Sequence, residues 1–463
     1  SKADNFIDKM FIQRDLTRQA CSIALMALFI LLHSLSAAAQ SEHSGPWSLQ
    51  DCTNYALEHN ITLQQSNLSV QQRETQLAGA KARMLPGVSA SAGESFSFGR
   101  GLRSDNTYAD HSNTTNTSFS VGAQMPIFEG FTIKNNIELS RLNLEAATVD
   151  LEKARDDIRT RVAQAYVQIL YSKEILGVAK SQIAVDSMQV ERLTTMLRTG
   201  KASSAEVSAA EATLAQSRLS MAQAEGNLRI AILDLTQLLE LPSPEGFDVV
   251  IPDVSTLPDE TLTPPEIIYE EALQVKPAIR GEQLRLQAAE KNIDIARGGY
   301  YPNISLSGGV GTNYYSIMGV QGPSFGTQLR DNFSPALSLS FSVPIFDRFS
   351  TRTNVRTAKL SHLNQQLQLE NVSKTLYKEI QQAYYNALTA RKKYEGSLAA
   401  EKSASQAFEI MSAKFENSKA SITEFNEAKN RLVSAQSDLA QARYQFLYQA
   451  RLLDFYRGNE IIF

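Results

Sequence analysis

Phe119-Ser120-Val121-Gly122-Ala123-Gln124-Met125-Pro126-Ile127-Phe128-Glu129 returns about 218 residues later as Leu337-Ser338-Leu339-Ser340-Phe341-Ser342-Val343-Pro344-Ile345-Phe346-Asp347. Each copy alternates apolar with small residues and then leaves through Pro-Ile-Phe and an acid. A period of two is that of a strand with one apolar and one polar face. An earlier run of the same kind precedes each copy. In the first, Val88, Ala90, Ala92, Phe96 and Phe98 alternate with Ser89, Ser91, Ser95 and Ser97. In the second, Ile304, Leu306 and Val310 alternate with Ser305, Ser307 and Gly309. The pattern predicts β-hairpins over 87–125 and 303–343. Their Phe96, Phe98, Phe119, Val121, Leu337, Leu339 and Phe341 would share the apolar, lipid-facing side.

The duplication extends outward from these strands. Thr199-Gly200-Lys201-Ala202-Ser203 recurs as Asn417-Ser418-Lys419-Ala420-Ser421 at the same displacement, and Pro86 pairs with Pro302 at almost the same one. Three landmarks in one order define a tandem repeat. Residues 40–240 and 266–463 are read as its copies, each a helix, a hairpin and a long helical hairpin. Residues 241–265, rich in Pro, Asp and Thr, divide them.

Heptads fill the space between the landmarks. Val207, Ala210, Leu214, Ser217, Met221, Ala224, Leu228, Ala231 and Leu235 alternate by three and four. Phe425, Ala428, Leu432, Ala435, Leu439, Ala442, Phe446, Gln449 and Leu453 match them position for position. That is a coiled-coil seam. Upstream, Leu144, Ala147, Leu151, Ala154, Ile158, Val162, Ala165 and Ile169 continue the rhythm. Proline-free helices are expected from near Thr132 to Leu197 and from Arg352 to Phe415. Rods of that length, on the order of 100 Å, overrun any compact core. The charge-rich run Glu152-Lys153-Ala154-Arg155-Asp156-Asp157 reads as a solvated outer face.

Four strands with one lipid-like face cannot close a barrel, and an open sheet edge cannot stand in hydrocarbon. Several copies must therefore contribute to one barrel; the pattern alone accepts a dimer, trimer or tetramer. Composition is compatible. The 463 residues are 43% hydrophobic and 20% charged with a net charge of -4, which offers no basic field for nucleic acid. Two cysteines, Cys21 and Cys52, and five scattered histidines make no zinc or redox motif, so no metal or cofactor is expected. GxSxG, HExxH and GxxxxGK patterns are missing, and an enzyme is not expected. Gly99-Arg100-Gly101 and Gly308-Gly309 are read as turns at strand ends.

Residues 1–39 read as a targeting signal with upstream residues. Arg14 and Arg18 precede an apolar run from Cys21 to Leu32, and Ala37-Ala38-Ala39-Gln40 offers a cleavage site. The mature chain is expected to start near Gln40 and to be exported.

Tandem halves of this plan resemble the TolC-type outer-membrane efflux proteins. The resemblance covers the mature chain and rests on four marks. They are the opening Trp47-Ser48-Leu49-Gln50-Asp51-Cys52, the segment Ala56-Leu57-Glu58-His59-Asn60, the two Pro-Ile-Phe exits and the two tip turns. It implies an α+β membrane protein: a homotrimer with a 12-stranded β-barrel, four strands per chain, continuous with a periplasmic helical coiled-coil barrel. It implies a passive exit duct in the cell outer membrane, working with a periplasmic adaptor protein and an inner-membrane pump in efflux or type I secretion. It also implies an acidic ring at the periplasmic aperture, from Glu424 and Glu427 with Glu206 in the other copy. The alternative for those carboxylates is a helix N-terminal role. The adaptor-docking tips would be Thr199, Gly200, Lys201, Asn417, Ser418 and Lys419, although Ser418 replaces the glycine preferred there. Two rivals remain: an exported coiled-coil rod or adhesin without a channel, and a soluble periplasmic adaptor.

Overall fold

The computed structural model describes residues 45–99, 101–102, 107–109, 113–252, 262–417 and 419–463. The chain divides into two units, Ser1–Trp47 and Ser48–Phe463, and every element below belongs to the second. The expected signal peptide lies outside the described residues.

The first copy opens with α1 (Leu49–His59) and α2 (Ile61–Ala82), followed by β1 (Gly87–Ser97), β2 (Thr114–Glu129), α3 (Thr132–Arg198) and α4 (Ser204–Leu238). The second gives α5 (Pro265–Val275), α6 (Pro277–Arg297), β3 (Asn303–Ile317), a short α7 (Phe325–Asp331), β4 (Ser334–Ser342), α8 (Ser350–Glu416) and α9 (Ile422–Tyr456). Both long helices have 67 residues and both returning helices have 35. Among the described residues, no helix is long and apolar enough to cross a membrane.

The sheet is an antiparallel meander in the order β1-β2-β3-β4, so strands of different copies meet at its centre. Helix contacts repeat that order just below it: α2 packs on α3, α3 on α6, and α6 on α8. Each strand continues into its own helix, and the layer keeps its sequence of neighbours. Farther down α4 lies on α3, α9 on α3, and α8 on α9. Thus α4 takes the outer place that α2 held, and α9 enters between α3 and α8 where α6 stood.

This exchange of neighbours explains how the long seam differs from its pattern. In α4 the expected Val207, Ala210, Leu214, Ser217, Ala224, Ala231 and Leu235 are buried against α3. In upper α3 the buried residues are instead Leu142, Ala146 and Val149, which pack on Leu284 and Ala288 of α6. Leu144 and Ala147 are only half-buried there. One helix serves two partners in series, so one heptad phase cannot cover its length.

The strands also depart from the pattern. β2 runs through Pro126 to Glu129, with a register shift between Pro126 and Phe128, because β3 pairs with it throughout. β4, at the sheet edge, ends at Ser342. Gly308 and Gly309 are not turn residues but the middle of β3. A Cβ on Gly309 would stand 2.6 Å from the Val121 carbonyl oxygen of β2. At the strand–helix junction a Cβ on Gly130 would sit 2.3 Å from the oxygen of Gly298, so the two copies cross there without side chains.

One further reading is corrected. Asp156 does not face solvent: it receives Lys276 at 3.4 Å and Arg159 at 3.0 Å, because the α5–α6 junction packs over it. At the C-terminal end Ile461 is buried and the Phe463 ring lies 6.3 Å from that of Tyr166 on α3.

Candidate functional site: tips, edges and the inter-repeat clasp

Each helical hairpin reverses in five residues. In the first, Gly200 N–H donates to Leu197 O at 3.0 Å and Lys201 N–H to Met196 O at 2.8 Å. Gly200 takes φ +71°, which glycine adopts without steric cost. In the second, Lys419 N–H donates to Lys414 O at 2.8 Å, and Asn417 donates to Ala413 O through N–H at 3.2 Å and Nδ2 at 2.7 Å. The bond from the turn lysine is thus the same in both copies; Ser418 itself lies outside the described residues. Thr199, Gly200, Lys201, Asn417 and Lys419 are all exposed at these ends.

The acidic candidates have defined local partners. Ser203 donates to Glu206 from N at 2.7 Å and from Oγ at 2.9 Å, while Glu206 N–H returns to Ser203 Oγ at 3.2 Å. Ser421 and Glu424 repeat this box at 2.7, 2.8 and 3.2 Å. A capping box satisfies two amides that a helix start leaves without partners. The serine backbone bond, then its hydroxyl, holds both carboxyls below the usual glutamate range. Glu427 lies one turn further on and faces Arg431 at 3.7 Å. The helix-start role is therefore realised in Glu206 and Glu424, and it leaves one oxygen of each outside the cap.

Above the tips lies a cluster that sequence reasoning missed. Asp186 of α3 accepts from Lys429 of α9 and from Ser217 Oγ of α4 at 2.5 Å, and all three side chains are almost wholly buried. Six residues below Asp186, Arg192 donates to Phe415 O at 3.1 Å and Glu416 O at 3.0 Å. Its guanidinium also lies 4.9 Å from the centre of the Phe415 ring. A cation at the carbonyl end of α8 meets the negative pole of that helix. The Phe415 ring in turn stacks on Phe425 at 4.8 Å. Partners 243 and 223 residues apart leave no local signal. The one hint was a serine at seam position 217.

On the sheet, Phe96, Phe98, Phe119, Val121, Leu337, Leu339 and Phe341 are all exposed. The register places them in rows: Val121 faces Val310, Leu306 faces Leu339, and Ile304 faces Phe341. The opposite face is small and polar, with Ser91 Oγ and Ser120 Oγ 2.7 Å apart. Among the described residues both outer strands lack a partner on one side: β1 and β4 pair only inward. The upper edge of β3, which the shorter β4 does not reach, is closed instead by α7. Gln328 accepts from Tyr315 N–H at 3.0 Å and donates to Tyr315 O at 3.0 Å, as a paired strand would.

Two open edges, a two-faced sheet and a long helical layer below it form the plan shared by known proteins. The family model for outer membrane efflux proteins matches residues 53–240 and 268–459. The chain belongs to that family. Protein CyaE of Bordetella pertussis is 26% identical over 358 residues, 76% of this chain and 71% of that protein. Outer membrane protein TolC of Escherichia coli is 22% identical over 427 residues, 91% of this chain and 84% of its own. The Campylobacter jejuni CmeC outer membrane channel has the same fold, with a TM-score of 0.76, 19% identity, and 89% and 86% of the two chains covered.

Membership settles the class. The protein is an outer-membrane channel and not an enzyme. TolC-family channels are homotrimers that work with periplasmic adaptor proteins and inner-membrane pumps. Three chains of four strands make the 12-stranded barrel, and the long helices continue it into the periplasm.

Proposed function

We propose that this chain is the exit duct of a tripartite efflux or type I secretion assembly, passing drugs, toxins or proteins from a periplasmic pump complex to the outside. The observation that carries the reading is the sheet, whose apolar face and two unpaired edges are stable in a bilayer only after closure with other copies. A coiled-coil rod has no use for it. From Phe119 to Phe128, β2 rises about 31 Å along the strand and about 23 Å at a tilt near 40°. That is close to the roughly 25 Å apolar band of an outer-membrane barrel. Phe131, Tyr301, Phe346 and Phe349 are exposed just below it and form the aromatic border. The residues named above as exposed on the apolar rows are its lipid contacts.

The tips are the adaptor-docking surface, supported by their matched geometry and exposed Lys201 and Lys419. Glu424 and Glu427, with Glu206, border the periplasmic aperture. Planar-bilayer recording of the detergent-extracted mature protein tests the reading. Steady cation-selective pores are expected, and divalent-cation block should weaken in Glu424→Gln/Glu427→Gln. Protein that never inserts would return the reading to the rod.

A further inference from the structure

The strand–helix junctions carry a set of cations that the channel function leaves unused. Phe131 lies against Phe128 at 5.0 Å and Tyr301 at 5.7 Å, and Phe349 against Phe346 at 5.5 Å. Phe128 stands opposite Ile304 on the apolar side of the sheet, so these rings mark the lower membrane border. Just below them α3 carries Lys134 and Arg141. At the same displacement of 218 residues α8 carries Arg352 and Lys359. The two copies keep a cation at each place while exchanging lysine for arginine.

Their direction follows from α3, which has α2 on one flank and α6 on the other. Between residues 131 and 143, only Phe131, Lys134 and Arg141 are exposed. At about 100° per residue, Lys134 and Arg141 lie about 20° apart and so form one line. The opposite line is Thr132, Asn136 and Asn143, all half-buried, and α8 repeats it as Ser350, Asn354 and Ser361. These short uncharged side chains continue the small polar face of the sheet, which faces the lumen. The cations therefore point outward, on the side of the aromatic border. Lys134 and Arg352 sit about 5 Å below the rings, and Arg141 and Lys359 about 15 Å. Headgroups extend about 5–8 Å beyond the hydrocarbon, within reach of long cationic side chains at the first level.

Local structure does not account for this charge. Glu145 takes Arg141 at 3.3 Å, and Asp347 accepts the Thr351 N–H at 2.7 Å. Lys134, Arg352 and Lys359 make no ion pair among the described residues. From residue 348 to residue 369 the chain has Arg348, Arg352, Arg356 and Lys359 but no acid. The first turns of a helix disfavour cations, so helix stability does not call for them. Closure of the trimer has its own line on α8. Leu360 and Leu367 are exposed there at the places where Leu142 and Val149 of α3 pack on α6.

We propose that this collar binds the headgroups of anionic phospholipids in the periplasmic leaflet. The inference rests on the barrel depth given above and adds the lipid class that meets it. Lys134 and Arg352 donate to the phosphate, while the acyl chains lie along Phe131, Phe349 and the apolar rows. Arg141 and Lys359 add to the field from below, within about one Debye length. A zwitterionic headgroup carries its own ammonium and gains less.

Native mass spectrometry of the detergent-extracted trimer tests the collar, with phosphatidylglycerol and phosphatidylcholine of the same chains supplied in equal amounts. The parent should retain phosphatidylglycerol by about fivefold or more, the attraction of about one cation near a charged lipid surface. Lys134→Gln/Arg352→Gln should bring the ratio close to one. Lys180→Gln/Lys402→Gln, exposed about 70 Å further down the same helices, should leave it unchanged. Equal retention of the two lipids by the parent overturns the collar, as does a full preference in Lys134→Gln/Arg352→Gln or an equal loss in Lys180→Gln/Lys402→Gln. Should the collar variant not assemble, the parent's preference at 50 and 500 mM salt decides. A preference that survives the higher salt is not one of charge and overturns the proposal. Flotation with vesicles keeps the two readings apart. A parent that enters vesicles without lipid preference leaves the duct reading standing, whereas one that never enters them overturns both.

Discussion

The two helical hairpins are nearly the same object by local structure and quite different ones by surroundings. Both reverse through the same lysine bond, both start their returning helix with a Ser–Glu capping box, and both pair 67 residues with 35. Yet α9 lies between α3 and α8, whereas α4 stands at the end of the layer. The central helix buries Lys429, Phe425, Tyr444 and Phe446. The end helix leaves Leu219, Ile230 and Leu233 exposed. The sheet repeats the contrast. Phe128 of β2 has Ile304 opposite it, while Ile345 and Phe346 beyond β4 have no strand beside them and are 96% and 71% exposed. Duplication copies local structure; the place in the layer decides whether a face is used inside the chain or left for the next subunit.

The largest effect is expected where the central hairpin has no counterpart in the other. Asp186→Ala strands the buried Lys429 ammonium and should cost on the order of 3–5 kcal/mol, read by urea unfolding of the helical signal. Asp186→Leu with Lys429→Met should recover most of that loss. Equal losses in the single and the double variant would show that the clasp does not depend on charge pairing. At the sheet edge, Leu339→Arg should cost about 2–4 kcal/mol if its row lies at mid-membrane, and fewer trimers should assemble in vesicles. Normal assembly would remove the row from the lipid face.

A smaller effect is expected at the top of β3. Gln328→Ala leaves the Tyr315 N–H and C=O without their amide partner, at about 0.5–1.5 kcal/mol per bond because both are exposed to water. Residues 318–333 should become accessible to protease before the rest of the sheet does. Protection equal to the parent would mean that α7 is held by other contacts.

The smallest effect concerns the matched caps. Glu206 and Glu424 have carboxyls lowered in the folded chain by their serine bonds, so their contribution is present above the ordinary glutamate range near 4.3 and lost as pH falls through the lowered values. Glu206→Gln and Glu424→Gln should each flatten the acid limb of a thermal-melt series by a similar small amount. Clearly unequal changes would mean that surroundings reach even the first turn of these helices.

The contrast also marks what the sequence could disclose. Period-two runs, heptads and the duplication are local, and they sufficed for strands, seams and turns. The handover of α3 from α2 and α6 to α4 and α9 was not legible, because a heptad states which residues seek a partner and not which partner arrives. Pro126 looked like a strand end, yet pairing with β3 carries β2 past it. Among the site residues, Glu206 and Glu424 stood out as acids near a tip, and their serines three residues earlier were the cue to a cap. Asp186, Lys429 and Arg192 gave no cue, since the partner that Asp186 and Lys429 find in each other, and the carbonyls that Arg192 meets, lie in the other copy.

All of these arguments meet at the unpaired edges of β1 and β4, which require a fixed number of neighbouring chains. The native mass of the detergent-extracted mature protein tests that requirement most directly. The account predicts a single species of three chains, which closes twelve strands. A stable single chain, or a species of two or four, would contradict it.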